Sequence, residues 1–326
     1  MKLDVIDNSR GTVEGFVLVK SCETKTTKNS APYLDMSVTD GTDTVSAKYW
    51  NYRPNIDDIP KPNSLIKVRG TITKYNGVDQ LKIDKYRGVE DYDNINLSDF
   101  VPTCTFAGED MFNEIFSIAQ NFADDNLRRL TLAVLTEYRD RVTDLPAALK
   151  LHHAIRGGLM MHTLSICRLA QTVAKLYPSV DGELLLSGAI LHDIAKCEEF
   201  SVSDSGLVDT YTVSGSLINH LVRGAMIVDE IGKRESIDPD TLLLVEHMLI
   251  SHHGKPEFGT AVRPSFLEAE ILSALDTLDA DIYEIENAVK DINPGTFSNK
   301  MWALDDRKFY NHGRKQTVTE ANLDIK

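Results

Sequence analysis

The sequence lacks the features that mark membrane and secreted proteins. No apolar run approaches the 18 or more residues of a membrane span, and the first seven residues contain no apolar signal-peptide core. The four cysteines form neither a CxxC pair nor a dense disulfide framework: Cys22, Cys104, Cys167 and Cys197. We therefore expect a cytoplasmic protein with reduced thiols and no membrane partner.

Histidine is absent from residues 1–151, although the chain has nine. Eight of the nine lie between His152 and His253, next to several aspartates. Such clustering predicts one shared site rather than scattered structural histidines. Imidazole and carboxylate together suit divalent transition metals, so the second part of the chain is where we expect chemistry.

The net charge of −14 argues against nucleic acid as a partner, but its distribution weakens the objection. Residues 1–90 hold 14 Lys and Arg against 12 Asp and Glu, a net of +2, and the remainder holds 21 against 37, a net of −16. The acidic excess thus lies where metal ions would neutralise part of it. A local basic strip can still bind phosphates whatever the total charge.

Residues 12–87 alternate between apolar and polar positions, which predicts half-buried β-strands. The apolar set in the fourth of these strands is Ile66, Val68 and Ile72. Five strands in about 75 residues without a long helix fit a small closed barrel such as the OB-fold. An SH3-like barrel would give a similar pattern.

If the apolar set faces inward, the outer face carries aromatic and cationic side chains. This predicted nucleic-acid-binding face comprises Tyr33, Lys48, Trp50, Lys67, Arg69 and Lys82. Rings that stack on bases beside cations that follow phosphates form a platform for single strands. A solvated face with edge lysines explains the pattern equally well. The exposed position of Trp50 favours binding.

From Glu109 onward the apolar spacing becomes helical. We predict helices at 158–177, 182–196, 215–234, 239–251 and 265–290, after two earlier ones. The predicted fold is a multidomain α+β chain in which a small OB-fold barrel precedes an all-α domain. The expected boundaries are a barrel over 1–90, a linker over 91–107, a helical domain over 108–312 and a tail over 313–326.

Seven side chains in the helical part have metal-ligand chemistry: His162, His192, Asp193, His220, His252, His253 and Asp276. Each histidine alone would more often be a core or surface residue. Asp276 is different, because a carboxylate flanked by apolar residues in a helix is costly unless it is paired or metal-bound. We expect Asp279 nearby to be solvated, and His247 to point away from the site.

Seven ligands exceed the need of one metal ion that keeps open positions, and they suit two ions that share a carboxylate. Asp193 is the natural bridge, with His162, His192 and Asp276 around one ion and the other three histidines around the second. Two such ions can activate water and stabilise an in-line phosphoryl displacement. Mixed N and O ligands favour Mn²⁺, with Fe²⁺ or Co²⁺ as alternatives, over tetrahedral Zn²⁺.

Lys196 follows the His192-Asp193 pair by one helical turn. It either holds a non-bridging phosphate oxygen, as a catalytic residue beside Asp193, or pairs with Glu198 or Glu199.

These motifs resemble the HD-domain metal-dependent phosphohydrolases, and more narrowly the YhaM-type 3′→5′ exoribonucleases of Gram-positive bacteria. The resemblance rests on Leu151-His152-His153, Leu191-His192-Asp193-Ile194-Ala195-Lys196, Leu217-Ile218-Asn219-His220, Ser251-His252-His253-Gly254, Glu268–Ala280 and the late residues Gly295–Tyr310. It covers nearly the whole chain. One departure is Asn219, where the family pattern has Gly, and the pair His152-His153 has no role that chemistry assigns.

The resemblance implies an OB-fold joined to an HD domain, and Mn²⁺-dependent release of nucleoside 5′-monophosphates from the 3′ ends of single-stranded RNA. It also implies single-stranded DNA as a second substrate, and a homo-oligomer is compatible with it. Two alternatives stay open. One is an HD phosphohydrolase that acts on free nucleotides or cyclic dinucleotides, for which a strand-binding barrel is unnecessary. The other is a non-catalytic RNA-binding or replication accessory protein, for which a full ligand set is unnecessary.

Overall fold

The chain forms two compact units, and each is described by itself. The computed structural model describes residues 4–7, 11–149, 153–315, 318, 320–323 and 325. The first unit comprises residues 1–103 with 202–209, and the second comprises 104–201 with 210–326. The boundaries expected from the sequence stay predictions, and the grouping of 202–209 with the first unit was not among them.

The first unit contains a closed barrel. Its strands are β1 (Asp4–Asp7), β2 (Thr12–Thr26), β3 (Pro32–Thr39), β4 (Thr44–Tyr49), β5 (Leu65–Tyr75) and β6 (Val78–Gly88). The early half of β2 pairs with β5 and its later half with β3, β4 pairs in parallel with β6, and β6 returns to β5. This closure confirms the predicted OB-type barrel, with β1 added to β2.

The barrel interior consists of the apolar residues of the alternating pattern, among them Val17, Leu34, Val68 and Leu81. Ile72 is an exception, because it is 40% exposed where the pattern expected a buried residue. The pairing of β2 with β5 ends at Thr71, so β5 continues past that strand and Ile72 loses its cover.

The second unit is helical. Its helices are α1 (Gly108–Gln120), α2 (Asp125–Val142), α3 (Gly158–Leu176), α4 (Gly182–Leu191), α5 (Lys196–Glu199), α6 (Val213–Arg234), α7 (Pro239–Ser251) and α8 (Leu267–Val289). Four predicted helices are confirmed to within two residues at each end. The predicted fourth helix over 182–196 was too long, because α4 ends at Leu191.

The expectation of a purely helical second part is wrong at one place. Two short strands, β7 (Phe200–Val202) and β8 (Val208–Tyr211), pair with each other between α5 and α6. The loop between them is part of the barrel unit, where Leu207 packs with Leu18 and Val101. Three-residue and four-residue strands are too short for a period-two pattern to stand out.

Glycines allow the close approaches that place the helix ends. Gly157 has φ +77° and precedes α3, and a Cβ on Gly158 would lie 2.0 Å from the carbonyl oxygen of His153. A Cβ on Gly188 would lie 2.2 Å from the Met248 side chain, so α4 and α7 pack closely. Asp238 caps the start of α7 with a carboxylate that accepts from Thr241 N. None of the helices in the described residues combines the length and apolarity that crossing a membrane requires.

Candidate metal centre

The seven predicted ligands come together at the centre of the second unit. His162 lies in the first turns of α3, His220 within α6 and Asp276 within α8. His192 caps the end of α4, and His252 caps the end of α7. The chain leaves the helix after His192 and again after His252. Adjacent side chains such as those of His192 and Asp193 can therefore reach one centre, which a continuous helix would prevent.

One group of ligand atoms surrounds a single carboxylate oxygen. His162 Nε2 lies 3.0 Å from Asp276 Oδ1 and 3.4 Å from His192 Nε2. His192 Nε2 lies 3.2 Å from Asp193 Oδ2, and His162 Nε2 lies 3.8 Å from the same oxygen. Two imidazoles and two carboxylates thus converge on one point.

A second group faces the other oxygen of the same carboxylate. His220 Nε2 lies 3.4 Å from Asp193 Oδ1 and 3.3 Å from His253 Nε2. His252 Nε2 lies 3.8 Å from Asp193 Oδ1. Asp193 therefore presents one oxygen to each group, which is the geometry that a bridging ligand needs.

Every histidine of the centre uses its Nδ1–H for a hydrogen bond that points Nε2 inward. Backbone carbonyls accept in three cases: Ala189 from His192, Leu249 from His252 and Phe258 from His253, at 2.8–2.9 Å. Carboxylates accept in the other two: Asp279 from His162 at 2.7 Å and Glu199 from His220 at 2.6 Å. Such partners fix the tautomer and orient a metal-ligating ring.

Some buried polar atoms of the centre make no hydrogen bond with a described residue. Asp193 Oδ1 and His252 Nε2 are enclosed, yet neither makes a hydrogen bond with any described residue. Burial is the main cause that holds the pKa of His252 well below its usual value, and the nearby His253 and His192 lower it further. The ring of His252 is therefore neutral at pH 7. Burial would raise the pKa of Asp193, but His192 and Lys196 outweigh it and hold that pKa well below its usual value.

These atoms fit divalent cations. An anionic oxygen and a neutral imidazole nitrogen, both buried and unsatisfied, are costly by themselves and are the atoms that a transition metal binds. The ligand atoms also fall into two neighbouring groups that can each hold an ion, His162–His192–Asp193 and His220–His252–His253. The donor set therefore fits one ion in each group, with Asp276 beside the first.

Lys196 lies at the edge of the centre. Its side chain is buried, and Nζ lies 2.7 Å from Asp193 Oδ2. The alternative partners are occupied elsewhere, because Glu198 pairs with Arg141 and Arg223 while Glu199 accepts from His220. In the described residues Lys196 pairs with Asp193 rather than with Glu198 or Glu199, and its contact with a phosphate oxygen stays a prediction.

A cavity of about 400 Å³ opens onto the centre. Lys196, His220, His253 and Asp276 form its floor, together with Glu199. Its walls include the aromatic side chains of Phe200, Tyr211 and Phe258 and the acidic side chains of Asp281 and Glu284, with Ala303 and Leu304 at one side. Apolar walls with a few convergent polar groups are typical of a small-molecule or nucleotide-sized site.

The expectation that Asp279 is solvated is wrong. Asp279 is buried, and its carboxylate accepts from both His162 Nδ1 and His153 Nε2, at 2.7 and 2.9 Å. Its position three residues after Asp276 in α8 puts both carboxylates on one face of the helix, a signal that the sequence contains. His153 also packs its ring on Tyr283, with centroids 4.2 Å apart. His152 lies outside the described residues.

Glu199 was missed as a functional residue, because its partner His220 is 21 residues away and no spacing rule connects them. His247 points away from the centre, as expected, since its Nε2 accepts from Ser265 N and its ring packs on Phe266.

Asn219 has a backbone conformation that explains why glycine is the residue expected there. Its φ of 61° and ψ of 168° interrupt α6, in a region that side chains other than glycine rarely enter. The Asn219 side chain accepts from Val222 N and so caps the helix that continues from His220. The kink turns His220 toward the centre at the cost of backbone strain.

The predicted nucleic-acid-binding residues divide between two places on the barrel surface. Tyr33 and Trp50 stack with centroids 4.4 Å apart, and Lys48 lies 5.8 Å above the Tyr33 ring while it pairs with Asp35. Lys82 lies beside Lys48 in the β4–β6 pairing.

The other two cations lie on β5. Lys67 pairs with Glu14 at 3.2 Å and covers Phe16, and Arg69 is an exposed neighbour of Glu14 in the β2–β5 pairing. Lys85 and Arg87, which were not among the residues predicted for this face, lie opposite Arg69 and Lys67 on β6. Binding of a single strand to either place stays a prediction.

Fold and centre together define an OB-like barrel joined to a helical domain of the HD class. The family model described as HD domain matches residues 159–281, which contain all seven predicted ligands. A second family model, TraI_2, matches residues 104–181 and carries no further argument.

Curated relatives narrow the class. The 3′-5′ exoribonuclease YhaM of Listeria welshimeri is 37% identical over 303 residues, which are 92% of this chain and 95% of that protein. The YhaM of Bacillus licheniformis is 35% identical over 301 residues, 91% of this chain and 94% of that one. This chain belongs to the YhaM exoribonuclease family, which confirms the resemblance seen in the sequence.

A solved structure of a replication protein A heterotrimer bound to single-stranded DNA is also similar. It is 22% identical and covers 26% of this chain and 61% of that one, with a TM-score of 0.21. So low a score carries no argument about function.

Proposed function

We propose that this protein is a divalent-metal-dependent 3′→5′ exoribonuclease that releases nucleoside 5′-monophosphates from single-stranded RNA. The observation that carries the proposal is the shared carboxylate of Asp193, with one group of ligand atoms at each oxygen. Membership of the YhaM family supports the direction of attack and the choice of RNA. Two ions in this centre would supply an activated water and stabilise the charge that develops on the phosphoryl group.

The residues around the centre have separate tasks. Asp193, Asp276 and the five histidines would hold the ions, and the cation of Lys196, which lines the cavity, would bind a non-bridging phosphate oxygen. A phosphate bound there would take the place of Asp193 Oδ2 as the partner of Lys196.

The cavity supports action at chain ends. A volume of about 400 Å³ is enough for one nucleotide, so the terminal nucleotide would enter and the next phosphate would lie over the centre. Phe200, Tyr211 and Phe258 offer rings for the base. Mn²⁺ as the ion, single-stranded DNA as a second substrate and assembly into a homo-oligomer stay predictions.

The test is a time course on a 5′-labelled RNA oligomer with Mn²⁺. We expect labelled products that shorten by one nucleotide at a time, unlabelled nucleoside 5′-monophosphates, and complete inhibition by a chelator. Deoxynucleoside triphosphates and cyclic dinucleotides are tested as alternative substrates in separate, parallel reactions. Faster hydrolysis of either small substrate than of RNA would overturn the proposal in favour of a nucleotide phosphohydrolase.

A further inference from the structure

The segment after α8 exposes an unusual amount of aromatic surface. We call residues 295–315 the C-terminal arm. Its side chains Phe297, Trp302 and Tyr310 are 62%, 74% and 50% exposed. Exposed rings that lie together, rather than singly, mark a ligand-binding or interaction surface.

The arm has a defined backbone that holds these rings in place. Phe297 pairs with Tyr310 in an antiparallel bridge, and their rings lie 5.0 Å apart. The side-chain amide of Asn311 donates to the carbonyls of Val289 and Ile292, at 3.3 and 2.9 Å, and so fastens the arm to the end of α8. The exposure of the rings is therefore a property of an ordered hairpin.

Cations lie among the rings, and they are not neutralised. Lys300, Arg307 and Lys308 are exposed, and none forms an ion pair with a carboxylate in the described part of the chain. Arg307 lies 5.3 Å above the Phe309 ring. The arm holds five Lys and Arg against two Asp, although residues 91–326 as a whole have a net charge of −16.

The arm also lines part of the cavity that opens onto the metal centre. Ala303 and Leu304, which follow Trp302 directly, line the cavity wall. Leu304 is buried, whereas Trp302, two residues earlier, is exposed to solvent. A strand that leaves the cavity past Ala303 and Leu304 would therefore come close to Trp302.

We propose that the C-terminal arm is a second binding surface for single-stranded RNA, which holds the nucleotides just upstream of the one in the cavity. Exposed rings for base stacking and unpaired cations for phosphates are the two elements of such a surface. The inference rests on the proposed function only for the strand's direction. The other occupant of such a surface would be the same arm of a second copy of this chain, but two arms that each hold five Lys and Arg against two Asp would repel each other.

The chain has two tryptophans, Trp50 in the barrel and Trp302 in the arm, so fluorescence can report on each surface separately. In the full-length Trp50→Phe variant Trp302 is the sole tryptophan. We expect a 12-nucleotide RNA, added with chelator, to quench its fluorescence, with an apparent affinity that falls as salt rises. The Trp302→Phe variant gives the matching signal from Trp50. Unchanged Trp302 fluorescence at RNA concentrations that saturate binding would overturn the proposal.

A second variant measures the contribution of the ring. Trp302→Ala should weaken binding of the 12-mer roughly 5- to 150-fold if a base stacks there, and the loss should appear in KM for long RNA rather than in kcat. Tyr177→Ala, which removes an exposed ring at the end of α3, should leave the affinity unchanged. Wild-type affinity of Trp302→Ala, together with a lower molecular mass by light scattering, would assign the arm to subunit contacts and overturn the proposal.

The two proposals can fail separately. Hydrolysis of a dinucleotide by the wild-type chain, which fills only the cavity, reports on the chemistry alone. If no RNA is hydrolysed but Trp302 is still quenched, the proposed function fails and the arm remains a binding surface.

Discussion

The barrel face and the metal centre of the helical unit differ in whether their polar side chains have partners. On the barrel face the cations Lys25 and Lys48 both pair with Asp35, and Lys67 pairs with Glu14. In the helical unit Asp193 Oδ1 and His252 Nε2 are buried without a hydrogen-bond partner. Unsatisfied buried polar atoms are costly, and a folded protein keeps them where a ligand repays that cost.

The comparison extends to the two surfaces with exposed rings. Trp50 stacks on Tyr33 and is 44% exposed, whereas Trp302 is 74% exposed beside cations that have no carboxylate partner in the described residues. Lys48 and Lys67 on the barrel are paired with carboxylates, whereas Arg69 and Lys82, like Lys300, Arg307 and Lys308 of the arm, form no ion pair with a described residue. Both surfaces therefore combine exposed rings with cations that a phosphate could pair with, and binding of RNA to the barrel face stays a prediction.

The largest expected effect is on the residue that joins the two groups of ligands. Asp193→Ala should lower RNA hydrolysis by roughly three orders of magnitude or more, because each of the two proposed ions would lose a ligand. RNA binding, measured by anisotropy with chelator, should persist, since neither surface with exposed rings contains Asp193. Turnover near the wild-type rate at saturating Mn²⁺ would show that Asp193 does not hold a catalytic metal centre in the helical unit. The difference between the two units would then have no catalytic meaning.

Lys196→Ala tests whether the buried cation acts on substrate. Loss of a charged hydrogen bond to phosphate, about 1.5–3 kcal/mol, should slow single-turnover hydrolysis roughly 10- to 150-fold with metal content unchanged. Lys175→Ala, an exposed lysine at the end of α3, is the control and should have no effect. Equal single-turnover rates for the two variants would show that Lys196 only balances the charge of Asp193.

The carboxylates behind the histidines should affect metal affinity. Asp279→Asn and Glu199→Gln keep the side-chain size but weaken the acceptors of His162 and His220. Each should reduce Mn²⁺ affinity about 10- to 100-fold in calorimetric titration. Asp291→Asn, at an exposed position after α8, should bind like the wild type. If all three bind Mn²⁺ equally, the hydrogen bonds to Nδ1 do not tune the centre.

The smallest effect concerns strain near the centre. Asn219→Gly should raise the free energy of unfolding by about 1 kcal/mol, because relief of an unfavourable backbone outweighs the weaker cap. Asn94→Gly in the barrel unit is the control, since Asn94 has φ 50° and ψ 53°, which asparagine tolerates. A melting temperature that rises equally in both variants, or falls for Asn219→Gly, would contradict the assignment of strain to α6.

The sequence predicted most of the architecture because periodicity and residue type carry it. Alternation gave the barrel strands, helical spacing gave α6 and α7, and metal chemistry selected the seven residues that the structure brings together. The prediction that Ile72 is buried was wrong, because alternation cannot reveal where a neighbouring strand stops. The short strands β7 and β8 were not predicted, because three or four residues are too few to show an alternating pattern.

The supporting parts of the centre could not be predicted, because they depend on contacts between distant residues. Glu199 becomes significant only when α6 places His220 beside it, 21 positions later. Asp279 was misjudged as solvated because a helix position does not reveal which neighbours cover it. The conformation of Asn219 fits the departure from the family pattern, but only backbone angles show that it is strained.

Counting bound Mn²⁺ on the full-length chain tests the central claim most directly. The claim is that Asp193 joins two metal positions within the helical unit. Equilibrium dialysis should give two Mn²⁺ per wild-type chain, with an electron paramagnetic resonance spectrum of a magnetically coupled pair. Asp193→Ala should lose both the coupling and most of the binding. One ion per chain, or two uncoupled ions that Asp193→Ala leaves in place, would contradict the account.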